Sequence, residues 1–277
     1  MLSIIVTWRN RGELKEALKS FESVVEHFNG ELILVNFGGE EVFFASQVKD
    51  SRPFFRIVRV PEQEHFHKTL AANLGASYAR FDTLFFCDCD ILLDPYELQI
   101  LYDAITTQEN AFGTLSGVTE TKVNSIGGKH VVNFGYELKI KTRNGRILKI
   151  VDQEEDANNG YRNAPGLLMV KKNDFMKING YNSELIGWGW EDQDMIGRLT
   201  LGAGLHRILS GHAKHISHDD HSRTGQYPEK DRWLSRDKMF RQALNNYDNE
   251  RFIGSFSVDK ERLKHEELFQ MTLTDFE

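Results

Sequence analysis

The sequence predicts an α/β protein built on a mostly parallel sheet flanked by helices. Over residues 1–90, short apolar runs rich in β-formers alternate with segments of helical period, which is typical of strands joined by crossover helices. A chain of 277 residues, 40% of them hydrophobic, is also long enough to bury a large core. No internal repeat or low-complexity segment indicates another architecture.

The elements of the first half follow in order. Strands are predicted at residues 3–8, 31–37 and 55–60. Between the first two, apolar residues repeat with helical spacing from Leu14 to Phe28, and Gly30 is the expected helix end. The segment 67–80 is rich in small residues and predicts another helix.

A strongly apolar strand is predicted over TLFFCDCDILL, residues 83–93, and Asp94 with the proline after it opens the next helix. Between residues 111 and 151 the pattern changes to alternating strands, where Asn144 and the glycine after it are a strong hairpin signal. This stretch has too few large apolar residues for its own core. We therefore expect a hairpin excursion from the sheet rather than a new domain.

The C-terminal part predicts helices. One α/β domain is expected over residues 1–225, with a helical extension, residues 226–277, packed on it. The apolar residues spaced to face the body are Trp233, Leu234, Phe240, Leu244, Leu263 and Leu268. Basic residues lie among them, at Lys230, Arg232, Arg236, Lys238 and Arg241. They form either a solvated helix face or a peripheral contact with an anionic membrane surface.

Charge and cysteine content exclude several classes of protein. The net charge of −7, with no arginine-rich stripe to offset it, makes nucleic acid an unexpected partner. Cys87 and Cys89 are separated by a single residue and cannot join distant loops by a disulfide bond, which favours a reducing compartment. The N-terminal apolar run is too short for a signal peptide or a membrane span, so we expect a cytoplasmic protein, or one at the inner face of a membrane.

Two aspartates end the apolar strand, at Asp88 and Asp90. Ligands of α/β sheets bind outside the carboxyl ends of the strands, and carboxylates after an apolar run are costly to bury without a cation. The pair therefore predicts a divalent metal, the alternative being an acidic strand end that caps the next helix. No glycine-rich phosphate loop follows the first strand, so a diphosphate would be held through the metal.

The second feature is the run GWGWEDQD, residues 187–194. Indole faces suit the C–H surfaces of sugars, and carboxylates accept hydrogen bonds from hydroxyl groups. A carboxylate beside such a hydroxyl can act as a general base. The alternative is structural, with the tryptophans in the core and Glu191 and Asp192 capping the following helix.

The third feature is a histidine group spaced by three residues: His212, His215, His218 and His221. Imidazole nitrogen combined with carboxylate oxygen favours Mn²⁺ over Mg²⁺. A zinc site or a solvated strip also fits this spacing, although no cysteine lies nearby to complete a common structural zinc site.

Together these motifs resemble the GT-A glycosyltransferases, and among them the β-1,4-galactosyltransferase and chondroitin-polymerase type, over residues 3–223. Asp88-Cys89-Asp90 matches the DxD motif of that family. Residues 173–199 resemble its K-x-x-F-x-x-x-N-G-F segment followed by a W-G-G-E-D-D-D run. The resemblance implies a GT-A fold with a Rossmann-like central sheet.

The resemblance also implies roles for single residues. The metal ligands would be Asp88, Asp90 and His218, with His221 as the rival histidine. The catalytic base would be Asp192, and the acceptor-binding residues would be Glu191, Trp188 and Trp190. The nucleotide-sugar would be bound by Thr7, Trp8, Arg9, Asn36, Lys68, Asn73 and Asp88. Two positions depart from the family, since Asn36 replaces an acid that reads uracil and Trp190 replaces a glycine.

The function implied is a metal-dependent inverting glycosyltransferase that moves a hexose or N-acetylhexosamine from a UDP-sugar to a saccharide hydroxyl. Mn²⁺ is the expected cofactor, with Mg²⁺ as the alternative. UDP-galactose and UDP-N-acetylgalactosamine are the expected donors, in polysaccharide or glycoconjugate synthesis. The competing hypotheses are a catalytically inactive sugar-binding or scaffold protein and a sugar nucleotidyltransferase, which would need a basic glycine-rich loop where this chain has Arg9, Arg11 and Gly12.

Overall fold

The structure is a computed structural model that describes residues 1–49, 55–123, 130–219 and 224–269. Its first half contains β1 (Ser3–Trp8), α1 (Leu14–Phe28), β2 (Glu31–Phe37), α2 (Glu41–Val48), β3 (Phe55–Val60), α3 (Lys68–Tyr78), β4 (Thr83–Asp88), β5 (Ile91–Leu92) and α4 (Pro95–Thr107). The predicted alternation of strands and helices is confirmed here.

The second half begins with strands, namely β6 (Ala111–Thr114), β7 (Gly117–Glu120), β8 (Asn133–Lys141), β9 (Ile147–Asp156), β10 (Tyr161–Arg162) and β11 (Leu168–Lys171). Helices and short strands follow, namely α5 (Lys172–Lys177), α6 (Glu191–Gly197), a π-helical turn (Arg198–Gly202), β12 (His206–Leu209), β13 (His212–His215), α7 (Arg232–Asp248), α8 (Phe256–Arg262) and β14 (Glu266–Phe269).

The central sheet has eight strands in the order β12-β6-β11-β4-β1-β2-β3-β14. The neighbours β4, β1, β2 and β3 are parallel, as are β12 and β6. The predicted mostly parallel α/β sheet is therefore confirmed. In the register of β1 against β4, Thr7 pairs with Asp88, so the carboxyl ends of both strands meet at one edge.

A second sheet of six strands, in the order β5-β13-β7-β10-β9-β8, lies beside this edge. The hairpin predicted at Asn144 is present as β8 and β9, and Gly145 adopts φ +87° in its turn. The sequence predicts a hairpin that is an excursion from the central sheet, whereas the hairpin belongs to this second sheet. The apolar strand predicted over residues 83–93 is broken between β4 and β5, because β5 leaves the first sheet to join the second.

Two hydrophobic clusters cover the faces of the central sheet. Since side chains alternate along a strand, Ile5 faces one cluster while Ile4 and Val6 face the other. The first cluster includes residues of α3 and α7, and the second includes residues of α1 and α4. At the end of α1, Asn29 with φ +48° takes the left-handed position expected of Gly30.

The C-terminal extension differs from its prediction in two ways. Residues 266–269 form strand β14, which pairs antiparallel with the edge strand β3, so the extension is not wholly helical. Phe240, Leu244 and Leu263 pack on the body as predicted, whereas Trp233 and Leu234 are 53% and 45% exposed. None of the helices in the described part of the chain has the length and hydropathy to cross a bilayer.

Candidate active site

The strand ends bring Asp90 and the histidines together. After β4 the chain turns at Cys89 and Asp90, and β5 then pairs with β13, where Ile91 is opposite His215. The backbone N–H of Ile216 also donates to the carbonyl of Asp90, at 2.8 Å. Pairing of β5 with β13 in the second sheet therefore places His215, at the end of β13, beside the second aspartate of the DxD sequence.

The carboxylate of Asp90 is the centre of this cluster. Its Oδ2 atom lies 3.2 Å from Nε2 of His218, 3.5 Å from Nε2 of His215 and 3.0 Å from Nη2 of Arg11. One ligand atom from each of Asp90, His215 and His218 lies within 4.8 Å of the other two. Burial opposes ionisation of Asp90, but the hydrogen bonds from the histidines and the charge of Arg11 hold its pKa well below the usual range.

The other nitrogen of each imidazole has a partner of its own. Nδ1 of His215 lies 2.8 Å from Oε2 of Glu120, and Nδ1 of His218 lies 2.8 Å from the carbonyl oxygen of Asp219. The hydroxyl of Ser217 also donates to Glu120, and despite the opposing effect of burial these hydrogen bonds lower the pKa of Glu120 to about 2. Such partners orient an imidazole and are typical of histidines that bind metals. The donor set of one carboxylate and two imidazoles fits a divalent transition ion.

A second cluster is centred on Lys68, the first residue of α3. Its Nζ atom lies 2.9 Å from Oδ1 of Asp88, 3.2 Å from Oδ2 of Asp192 and 3.5 Å from Oε1 of Glu191. One ammonium group therefore links the end of β4 to the start of α6. Burial disfavours the charge of Lys68, but the three carboxylates outweigh it and raise its pKa well above the ordinary value.

Asp192 is the carboxylate with the environment of a general base. Burial and the neighbouring charges of Glu191 and Asp88 raise its pKa, whereas the charge of Lys68 lowers it. The net result is a pKa of about 7. Its Oδ1 atom is buried and has no hydrogen-bond partner among the described residues. A carboxylate with this pKa and an unused acceptor atom can take a proton near neutral pH.

The glycines of the GWGW run allow close packing beside this base. Gly187 and Gly189 adopt φ +147° and +116°, and a Cβ atom at either would press on Ser235 or Arg236 of α7. The backbone N–H of Trp188 donates to the hydroxyl of Ser235 at 2.8 Å. That of Gly189 donates to Oε2 of Glu191 at 2.9 Å, and no side chain caps α6.

The third acid of the run, Asp194, has a structural position. It is fully buried, pairs with Arg198 at 2.7 Å and accepts a hydrogen bond from the hydroxyl of Tyr247 at 3.0 Å. Because these partners use its carboxylate inside the core, Asp194 stabilises α6 and lies away from solvent.

One cavity of about 1010 Å³ holds both clusters. The predicted site residues that line it are Thr7, Arg9, Lys68, Asp88, Asp90, Trp188, Glu191, Asp192 and His218. His221 lies outside the described residues. Asp88 lines the cavity too, but it pairs with Lys68, and the candidate metal cluster contains His215 in its place.

Four predicted site residues do not line the cavity. Trp8 is buried and donates from Nε1 to the carbonyl of Arg11 at 2.7 Å. Asn36 is buried and accepts from the backbone N–H of Gly39 at 3.0 Å. These two side chains hold the loops after β1 and β2, so any effect on a ligand is exerted through those loops.

Asn73 and Trp190, the other two, are also in the interior. The amide of Asn73 donates to Asp259 of α8 at 2.7 Å and to the carbonyl of Tyr181 at 2.9 Å. Trp190 is only 2% exposed and packs against Phe240, with ring centroids 4.6 Å apart. Neither side chain lines the cavity that contains Asp90 and Asp192.

Three residues of the site are not among the predicted site residues: Arg11, Glu120 and His215. His215 was part of the histidine group, and its place at the end of an alternating strand was the available signal. Glu120 is the cross-strand neighbour of His215 in the pairing of β7 with β13, and Arg11 reaches Asp90 from the loop after β1. No local sequence pattern indicates either contact.

Comparison with known families agrees with this geometry. The family model described as glycosyl transferase family 2 matches residues 3–167, which is more than half of the 277-residue chain. The chain belongs to glycosyltransferase family 2. A second family model, described as the N-terminal domain of galactosyltransferase, matches residues 145–221, which include the GWGWEDQD run. The protein is therefore a glycosyltransferase, and its layered α/β architecture is a GT-A fold.

No curated protein matches this glycosyltransferase. Among solved structures, it is similar to the catalytic domain of Drosophila beta1,4-galactosyltransferase 7, which was crystallised with xylobiose. The two chains are 15% identical, the alignment covers 85% of this chain and 79% of that one, and the TM-score is 0.49.

Proposed function

We propose that this glycosyltransferase is metal-dependent and inverting, and that it moves a hexose or N-acetylhexosamine from a UDP-sugar to a saccharide hydroxyl in polysaccharide or glycoconjugate synthesis. UDP-galactose and UDP-N-acetylgalactosamine are the first donors to test. The observation that carries the proposal is that one cavity contains both the Asp90 cluster and the Lys68 cluster, to which Asp192 belongs. A transferase needs this proximity, because donor and acceptor must meet in one space.

In this proposal Asp90, His215 and His218 hold the ion. The mixed oxygen and nitrogen donor set favours Mn²⁺ over Mg²⁺. A bound ion would supply positive charge to the diphosphate of the donor. Glu120 would fix the orientation of His215, as it does in the structure.

The donor side of the cavity is formed by Thr7, Arg9, Lys68 and Asp88. Arg9 is fixed by a hydrogen bond to the carbonyl of Gln63 at 2.8 Å, which places a cation beside the end of β1. Lys68 connects this side to Asp192, so its ammonium lies where the donor sugar and the base must meet. Arg9 and Lys68 would neutralise negative charge on the diphosphate of the donor.

The acceptor side is formed by Trp188, Glu191 and Asp192. Asp192 would take the proton of the acceptor hydroxyl as that oxygen attacks the anomeric carbon, and the bond between this carbon and the diphosphate would break with its electron pair leaving on UDP. A single displacement needs one base and inverts the anomeric configuration. Glu191, held by the backbone N–H of Gly189, would accept a hydrogen bond from a neighbouring hydroxyl.

The rate of transfer should depend on pH through Asp192. Because the folded protein has this pKa raised to about 7, the fraction of ionised base falls about tenfold per pH unit below that value. We expect kcat/KM, measured from pH 5.5 to 8.5 at saturating Mn²⁺, to rise towards a plateau above pH 7. In Lys68→Met the loss of the ammonium charge should move the profile to higher pH. A flat wild-type profile over this range would contradict the assignment.

The proposed function is tested most directly by titrating UDP into the protein in a calorimeter with and without Mn²⁺. We expect measurable affinity only with the ion, and a UDP-sugar that binds at about 100 times its Kd should add about 2.7 kcal/mol to the free energy of unfolding. A screen of nucleotide-sugars by thermal stabilisation and Mn²⁺-dependent hydrolysis then identifies the donor. UDP affinity that is the same with and without Mn²⁺ would exclude the metal-dependent function. A response to another nucleotide would show that the donor carries a nucleobase other than uracil.

A further inference from the structure

The cavity continues past the base to a rim built by the start of α7 and by the β8–β9 hairpin. Arg232 and Trp233 begin α7, beyond the residues that either family model matches. Trp233 and Phe134 of β8 line the same cavity as Asp192. This rim therefore belongs to the reaction space but has no place in the proposed site.

The two aromatic side chains on the rim are about half exposed to solvent. Trp233 is 53% exposed and Phe134 is 52% exposed, although sequence spacing predicted that Trp233 packs on the body. Leaving large apolar surface in water is unfavourable relative to burying it. Exposed aromatic rings that face one cavity are typical of a binding surface.

The position of Trp233 is fixed by the protein. Asp231 caps α7 and accepts hydrogen bonds from the backbone N–H groups of Trp233 and Leu234, at 2.9 and 3.0 Å. The guanidinium carbon of Arg232 lies 4.6 Å from the ring centroid of Trp233 and 5.8 Å from that of Trp188. The indoles of Trp188 and Trp233 therefore flank one guanidinium group. Together they extend the aromatic surface outward from Asp192.

The part of the rim formed by the hairpin is also anchored. Arg236 of α7 forms an ion pair with Asp152 of β9. Because Phe134 lies on β8, which pairs with β9 along the whole hairpin, this contact sets the distance between the helix and the hairpin. A ligand in the cavity can therefore contact aromatic side chains on two elements that are already joined to each other, which lowers the ordering cost of binding.

We propose that Trp233 and Phe134 form a distal saccharide subsite, so that the acceptor is an oligosaccharide of at least two sugars. The reacting sugar lies beside Trp188 and Asp192, and the preceding sugar places the C–H face of its ring on the indole of Trp233. The inference rests on the proposed function, because it assumes that an acceptor hydroxyl is deprotonated at Asp192. Beyond the proposed function, it specifies the length of the acceptor and the residues that select for that length.

The test compares wild type with Trp233→Ala, Phe134→Ala and the control Leu234→Ala. Leu234 is the next residue on α7 and is 45% exposed, but it does not line the cavity. The acceptors are glucose, xylose, galactose and N-acetylglucosamine, each with its β-linked di-, tri- and tetrasaccharide. For each acceptor, kcat/KM is measured with the donor and Mn²⁺, and binding is measured by calorimetry in the presence of UDP and Mn²⁺.

For wild type we expect kcat/KM or affinity to rise about tenfold from monosaccharide to disaccharide in at least one series. Trp233→Ala and Phe134→Ala should lose most of this gain and keep the wild-type affinity for UDP with Mn²⁺, whereas Leu234→Ala should keep the gain. The inference is overturned if wild type shows no gain with length in rate or in binding, or if Trp233→Ala retains it. Failure of the proposed function would be visible separately, as UDP affinity without dependence on Mn²⁺.

Discussion

Asp192→Asn is expected to lower kcat by about 10²- to 10⁴-fold while leaving the Mn²⁺-dependent affinity for UDP nearly unchanged. The amide keeps the size of the side chain and can still contact Lys68, but it cannot take a proton from the acceptor hydroxyl. Because the Asp90 cluster is separate from this side chain, the donor side should remain intact. The loss should therefore occur in kcat, and the KM for the donor should stay close to the wild-type value.

The measurement is a steady-state assay with the identified donor, together with calorimetry of UDP and the thermal midpoint of unfolding. Glu155→Gln is the matched control, because it also replaces one carboxylate on the cavity wall by an amide, on β9. It should keep the wild-type kcat. Full activity in Asp192→Asn would show that another group takes the proton.

The second large effect is expected for Asp90→Asn, which replaces the central carboxylate of the candidate metal cluster. A neutral amide is a weaker metal ligand than a carboxylate. The imidazoles of His215 and His218 would also lose the carboxylate that both of them contact. Loss of a supporting partner of a metal ligand costs about 10- to 100-fold in affinity, so loss of the ligand itself should cost more than about 100-fold. UDP affinity in the presence of Mn²⁺ should fall with it.

Mn²⁺ binding to wild type and variant is measured by titration with detection of the free ion by electron paramagnetic resonance. His218→Ala and His215→Ala should also weaken the site, whereas His212→Ala should not. His212 starts the same strand, but its ring lies near Glu97, 3.9 Å away, and not at Asp90. Equal Mn²⁺ affinity in wild type and Asp90→Asn would remove this cluster from the proposed mechanism.

Much of the fold could be predicted because its signals are local. The run of buried residues in β1 and β2 and the glycine turn of the hairpin each define an element without reference to the rest of the chain. The elements that were missed depend on distant partners. Strand β14 exists because β3 offers an unpaired edge, and β5 separates from β4 because β13 is there to receive it.

In the candidate site too, local signals could be predicted and contacts between distant elements could not. Asp88, Asp90 and the Glu191–Asp192 pair could be placed in one cavity from the sequence, because strand ends and a helix start are where α/β sheets place their ligands. Burial of Trp190 and Asn73 could not be foreseen, since it depends on how α7 and α8 pack over the domain. The exposure of Trp233 was missed for the same reason, because helical spacing shows which residues share a face but not where the helix leaves the body.

The contact between Arg11 and Asp90 has a consequence for how the enzyme matures. A guanidinium group supplied by the chain itself already serves as the counter-ion of this buried acid. The folded chain can therefore neutralise this acid before a metal ion binds, unlike small domains whose folding requires zinc. In the proposed function, a bound ion would take over from the guanidinium group of Arg11 the neutralisation of Oδ2 of Asp90.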